Sequence, residues 1–392
     1  MGDPDYMRFP EAEYQRRYER VRERMAKADL KGLFITEGGN FTYFTGGTRD
    51  FSFSRPTFLL LPLEGDPVVL IQHFPQENRK KEIWLKDIRI YETMLGVPFE
   101  LAVEAMHDAG LSEGRVGAEL GYEQRLGISY NDFVTLKESL PKVEFVDAAD
   151  VLWGVRLIKC EEEISRYRRA CQITAAAYEA LWSACSEGMT EIEILDKFRE
   201  LQLVLGADNP WSFINSGPEN YAMTGGGPTS RQIRKGNLVW IDGGCTHREY
   251  ASDFCASATV GPPTDKQKKT QDMVVKITKT LVDAVRPGIR ACDLDALNHT
   301  EWEKFGYDYA KLNFGGGRIG HGVGWGSCLT EPPHIGAYDM TQLQPGMVFT
   351  IEPGFSTEDG CFQAEEDIVV TEDGCEVMSV FEGGRGLRVI PC

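Results

Sequence analysis

The amino-acid sequence predicts an α/β (α+β) protein built from two domains, and three observations lead there. The chain has 392 residues, more than one hydrophobic core usually organises. Its first 150 or so residues alternate helical periodicity with short apolar strands. Beyond them, long amphipathic helices give way to strands and glycine-rich turns, several of which carry an acid in an apolar run. With 42% hydrophobic and 26% charged residues, the composition is that of a globular protein and excludes a disordered or fibrous chain.

The elements follow in order. Glu11 to Lys27 read as a charged helix, and GLFITE (Gly32 to Glu37) as a strand. The runs TFLLLPL and DPVVLIQ are two more strands joined by a Glu-Gly-Asp turn. A helix spans Pro98 to Ala109, with the proline suited to its first turn. RVGAEL and VEFVDA complete the strands of a first domain, residues 1–153. The second domain, residues 154–392, opens on a long amphipathic helix. There Ile164, Tyr167, Ala170, Cys171, Thr174, Tyr178 and Leu181 recur at spacings of three and four. Gly188 ends it, and Thr190 with Glu193 form a capping box for the next helix. Further helices are expected near Lys266 to Val285 and Leu294 to Phe305.

Charge and motif content exclude several functions. A net charge of −18 argues against a nucleic-acid surface and against docking on anionic lipid. No apolar run approaches the roughly 20 residues of a membrane span. The opening residues lack a signal-peptide core, and Tyr6 stands where a myristoylation motif needs Ser or Thr, so a cytoplasmic location is expected. All ten cysteines lie between Cys160 and Cys392 without a CxxC pair, the pattern of buried reduced thiols. Gly315, Gly317 and Gly320 satisfy GxGxxG, but HGVGWG follows rather than a helix, so no dinucleotide site is expected.

The chemistry concentrates in acids placed among apolar residues. In LVWIDGGCTHREYASDFCASAT, Asp242 and Asp253 sit on two strand-like runs joined by a polar turn, which brings them side by side on one face. His321 lies in GGGRIGHGVGWG, Glu352 follows the strand VFTI, and Glu366 precedes Ile368, Val369 and Val370. Glu365 and Asp367 read as a solvated face. Buried carboxylates are costly unless something positive meets them. Two divalent cations carry +4, four ionised carboxylates −4, and a neutral imidazole adds a nitrogen; such a hard donor set suits Mn, Fe, Co or Zn. Singly, such an Asp is more often a strand cap or turn residue and such a His more often structural; the inference rests on their occurring together.

IDGGCTHREYASD, GHGVG, TIEPG and EEDIVVTEDG, in that order, resemble the pita-bread metallohydrolases, which include methionine aminopeptidase, aminopeptidase P, prolidase and creatinase. RLIKCEEEISRYRRA resembles the family's domain junction, and the first half resembles the creatinase-type amino-terminal domain of its longer members. The resemblance implies a creatinase-type N-terminal α/β domain followed by a pita-bread catalytic domain. It implies two metal ions, manganese foremost with zinc, cobalt or iron as alternatives, held by Asp242, Asp253, His321, Glu352 and Glu366. It further implies a metal-activated water as nucleophile, Glu352 as acid–base partner, and a homodimer.

The sequence departs from the family at two histidines that contact substrate in its peptidases. Thr330 occupies one position, with His334 close by, and Gly225 to Gly227 fill the other. Phe53 and Arg55 in FSFSRPTF lie where creatinase grips its substrate's carboxylate, and Trp325 stands in the HGVGWG loop as a further candidate contact. The expected reaction is hydrolysis of an amide or C–N bond in a small carboxylate-bearing substrate, of the Xaa-Pro dipeptidase or aminopeptidase P type. The alternatives are a dimethylsulfoniopropionate lyase, an ectoine- or creatine-type amidohydrolase, and a metal-free binding module, the last of which predicts broken ligands.

Overall fold

The structure, a computed structural model, describes residues 8–48, 54–73, 80–312, 314–325 and 330–392. The chain divides into two compact units, residues 1–156 and 157–392.

The first unit is built on a mixed six-stranded sheet, order β4-β3-β2-β1-β5-β6. Its strands are β1 (Gly32–Ile35), β2 (Phe58–Pro62), β3 (Val68–Gln72), β4 (Asp87–Tyr91), β5 (Gly114–Ala118) and β6 (Val143–Asp147). Its helices are α1 (Glu11–Lys27), α2 (Gly38–Thr45), α3 (Phe99–Asp108), α4 (Tyr130–Ser139) and α5 (Ala149–Arg156). In α1, Tyr14, Tyr18, Val21 and Met25 recur every three or four residues and are all buried. One core gathers Phe34, Leu60, Leu70 and Val116 from the sheet with Met106 and Leu136 from α3 and α4. Burial contributes roughly 1.5–3 kcal/mol for each such large side chain. Helix α2, GGNFTYFT, is not foreshadowed in the sequence. It has no polar stripe, because every residue after Gly38 is buried, and it is set by its ends: the Glu37 carboxylate accepts from the Asn40 N–H, and Gly46 closes it at φ +80°.

The second unit opens with α6 (Glu161–Ala184) and α7 (Glu191–Val204), the latter capped by Thr190 and Glu193 as expected. Helices α8 (Asp265–Ala284) and α9 (Ala291–Glu303) follow the first strands. One sheet has the order β18-β10-β8-β7 with β9 also paired to β8. It comprises β7 (Asn209–Ser216), β8 (Leu238–His247), β9 (Tyr250–Ala251), β10 (Phe254–Val260) and β18 (Arg388–Ile390). The other has the order β12-β11-β13-β16-β17: β11 (His321–Val323), β12 (Thr330–His334), β13 (Val348–Ile351), β16 (Glu366–Val370) and β17 (Cys375–Val377). A hairpin of β14 (Gly354–Thr357) and β15 (Gly360–Gln363) stands apart. Trp240 on β8, Trp302 on α9, and Phe349, Ile351, Phe362 and Ile368 belong to one hydrophobic core. Strand β7, NPWSFINS, lacks an apolar alternation, yet pairs with β8 over its whole length.

Candidate metal centre

The site begins with the β8–β10 pair. Cys255 lies opposite Asp242, and Asp253 precedes Cys255 by two residues, so the period of a strand returns it to the face of Asp242 as a diagonal neighbour. Gly244 permits this approach: a Cβ there would lie 1.8 Å from the Ser252 carbonyl oxygen. Behind the pair, the Tyr178 hydroxyl of α6 is 3.2 Å from the Ile241 carbonyl and 3.1 Å from that of Phe254, tying both strands to one helix.

Glu352 leaves the end of β13, where its N–H donates to the Ile319 carbonyl (2.8 Å). The Gln363 amide donates to the Glu352 carbonyl at 3.1 Å, and Trp240 Nε1 donates to Gln363 Oε1 at 3.0 Å. His321 starts β11. Its Nδ1 lies 3.1 Å from the Gly322 carbonyl, which can only accept, so the proton sits on Nδ1 and Nε2 presents a lone pair. Nε2 is 3.5 Å from an Asp253 oxygen and 3.8 Å from a Glu352 oxygen.

The fifth position differs from expectation. Oxygens of Asp242, Asp253 and Glu365 lie within 4.8 Å of one another, and Glu365 is 0% exposed. Glu366 is instead paired with Arg385, whose Nε is 2.8 Å from its Oε1, and with the Ser379 hydroxyl. Asp367, also expected on a solvated face, is buried: its carboxylate accepts the Asp253 N–H (2.9 Å) and the Cys171 thiol (3.2 Å). Successive side chains of a strand point to opposite faces, so in the run Glu365-Glu366-Asp367 neighbouring acids have different surroundings. Glu365, rather than the expected Glu366, therefore stands with Asp242 and Asp253 where a metal ion could be held. The signal was Arg385, 19 residues downstream, which supplies the protein cation that Glu366 takes.

Electrostatics agree with a cation-shaped deficit. Burial pushes Asp242 up to about 7. Burial and then the charge of Asp242 push Glu352 up to about 8 and raise Asp253 and Glu365 well above the carboxylate range. Burial holds His321 down to about 3, so it is a neutral ligand at ordinary pH. Oδ1 of Asp242 and both carboxylate oxygens of Glu365 are buried without a hydrogen-bond partner among the described residues. Orphaned acceptors of this kind cost free energy unless a cation meets them. Four carboxylates and one imidazole nitrogen thus fit divalent metal.

A cleft of about 550 Å³ opens over these groups, and Asp242, Asp253, His321, Glu352 and Thr330 line it. Other expected residues stand elsewhere. Trp325 is 6% exposed, packs on Tyr250 with ring centroids 6.1 Å apart, and is not among the residues lining the cleft. His334 also lies outside the lining; its Nδ1 is 2.7 Å from Nη1 of Arg318, a residue the sequence reading passed over and one that does line the cleft. Arg55 belongs to the first unit and is half-buried before β2, while Phe53 falls outside the described residues.

Comparison with known proteins places these features. Residues 165–372 match the description "Metallopeptidase family M24" and residues 17–158 "Creatinase/Prolidase N-terminal domain". The chain is 34% identical over 266 residues to a Xaa-Pro dipeptidase of Pyrococcus furiosus, covering 67% of this chain and 74% of that protein. Among solved structures, the prolidase from Pyrococcus horikoshii OT3 superposes with a TM-score of 0.79 at 27% identity, covering 94% of this chain and 99% of the other. Dipeptidase PepE from Mycobacterium ulcerans does so with a TM-score of 0.84 at 25% identity, covering 98% and 100%. Among the described residues, no helix is long and apolar enough to cross a membrane.

Proposed function

The chain belongs to metallopeptidase family M24 and is a metal-dependent hydrolase, and from that premise we propose that it is an Xaa-Pro dipeptidase acting on small carboxylate-bearing substrates. The observation that carries the reading is the buried set Asp242, Asp253, His321, Glu352 and Glu365, whose orphaned oxygens demand cations, at the base of a cleft of dipeptide size. Similarity to relatives named Xaa-Pro dipeptidase and prolidase supports the choice within the family. Charge balance favours two divalent ions against four carboxylates, and the oxygen-rich donor set favours manganese. We further propose a homodimer, which the resemblance to the longer members of the family implies.

When bound, the metal supplies a water of lowered pKa and polarises the scissile carbonyl. The chain's own residues do the rest. Glu352, its backbone fixed by Gln363, is placed to hold and pass a proton beside the reacting bond. His321 stays neutral and presents Nε2. Thr330, where peptidase relatives carry histidine, offers a hydroxyl on the cleft wall. Trp211, Phe213, Trp240 and Phe314 form an apolar wall suited to a proline ring or a short side chain.

The test is to strip the protein with chelator, restore Mn, Co, Zn or Fe separately, and follow free proline from a panel of Xaa-Pro dipeptides alongside metal content. Turnover that returns with about two ions per chain is expected. Undiminished turnover in stripped protein, or silence on every dipeptide with release of dimethyl sulfide or opening of ectoine instead, overturns the reading.

A further inference from the structure

Resting on the hydrolase reading above, we propose that Arg318 is the anchor for the substrate's carboxylate, with His334 as the residue that positions it. Among the described residues, Arg318 is the one lysine or arginine lining the cleft, whose charged neighbours there are the carboxylates Asp242, Asp253 and Glu352. With those carboxylates committed to metal, Arg318 is the protein cation on the cleft wall that can receive an anionic substrate group. The only hydrogen bond of the Arg318 side chain among the described residues runs from Nη1 to His334 Nδ1 at 2.7 Å, which leaves Nε and Nη2 of the planar fork for a ligand.

The placement of Arg318 is built into the fold. Gly315, Gly316 and Gly317 precede it with φ of +68°, +63° and +88°, a left-handed run that side-chain-bearing residues rarely adopt. Gly315 and Gly316 line the cleft with no side chain of their own. His334, which holds the guanidinium, is set opposite His321 by the β11–β12 register, and its own N–H donates to the Asp339 carboxylate at 2.7 Å. The guanidinium is thereby registered to the strand that carries His321. With aromatic side chains on the wall and acids at the base, the cleft takes a compact substrate whose scissile bond lies a short step from a free carboxylate. It disfavours carboxamides and peptides extended beyond that point.

The experiment compares wild type with R318Q, R318K, H334A and R55Q, the last because Arg55 is the other candidate for this role. One arm measures kcat and KM for Xaa-Pro dipeptides and their C-terminal amides. A second arm measures, by calorimetry on the metal-loaded full chain, binding of pyrrole-2-carboxylate and of its amide, which needs no turnover. In wild type the acid is expected to be preferred in both arms. In R318Q the acid loses between about tenfold and a hundredfold in KM and in binding, as for a charge-assisted hydrogen bond, while the amide is unchanged. H334A is expected to raise KM with kcat held, and R318K to rescue only in part because a point charge replaces a fork. Wild-type preference for the acid that survives intact in R318Q, or disappears in R55Q instead, overturns the proposal; so does a wild type that binds acid and amide alike. Absence of dipeptide turnover with the binding discrimination intact and Arg318-dependent overturns the dipeptidase reading alone.

Discussion

Replacing Glu365 and Glu366 by glutamine, one at a time, separates a metal ligand from its structural neighbour. Three ionised carboxylates whose oxygens lie within 4.8 Å of one another repel by about 3.5 kcal/mol per pair at an effective dielectric of about 20. Metal-free wild type relieves most of this by holding protons. Removing the charge of Glu365 should therefore leave the melting temperature of chelated protein unchanged or raise it. Metal affinity should fall by at least a hundredfold, since loss of partners one shell further out already costs about 10–100-fold. E366Q should do the reverse. Its partner Arg385 is only 9% exposed at the side chain and also donates to the carbonyls of Cys255 and Ser379, both at 2.9 Å. Breaking one side of such a pair costs about 3 kcal/mol, the lower end of the range because glutamine keeps an acceptor. In a unit of this size that lowers the melting temperature by about 6–12 °C, with metal affinity per folded molecule within a few fold of wild type. Scanning calorimetry of chelated protein and competition titration of metal against a chelator read both quantities. E366Q that folds but cannot bind metal, beside an E365Q that binds it normally, would show that the facing of this strand has been misassigned.

The remaining expectations are direct. Asp242→Ala should fold, lose metal and lose turnover; retention of bound metal at wild-type stoichiometry contradicts the ligand set. Burial raises Asp242 and Asp367 to about 7 and Glu352 to about 8, whereas all three titrate near 4 in the unfolded chain. Groups whose folded value is raised bind more protons in the native state, so metal-free protein should lose stability as pH rises from about 4 to 8. His321, held down to about 3, works in the opposite sense below about 6.5, so the window from pH 6.5 to 8.5 isolates the acids. A chelated melting temperature that is flat or rises across that window contradicts the burial argument; metal affinity should rise over the same range. Tyr178→Phe removes a hydroxyl that serves two strand carbonyls and should cost about 1–2 kcal/mol by denaturant titration, and a neutral result would mean water replaces it.

Much of this protein is legible in the chain itself where a short-range rule suffices. The three- and four-residue spacing of α6, the Thr190–Glu193 cap and the hairpin carrying Asp242 and Asp253 follow from local periodicity and turn chemistry. The same local rules do not reach α2, which burial on all sides holds, or β7, a strand at the end of its sheet's order that pairing with β8 holds, not propensity. Nor could they choose among Glu365, Glu366 and Asp367. All three are acids in a row, and which faces the cleft depends on the phase of β16 and on where Arg385 returns.

By itself, then, the order of residue types determined that this chain holds a buried cluster of carboxylates and one histidine, because acids on apolar strands need a cation wherever the fold takes them. Only the tertiary structure decided which acids those are and that Arg318, rather than Trp325, stands over them. Strand phase and the return of distant segments are set by packing across the whole unit, and no local window of sequence contains that information.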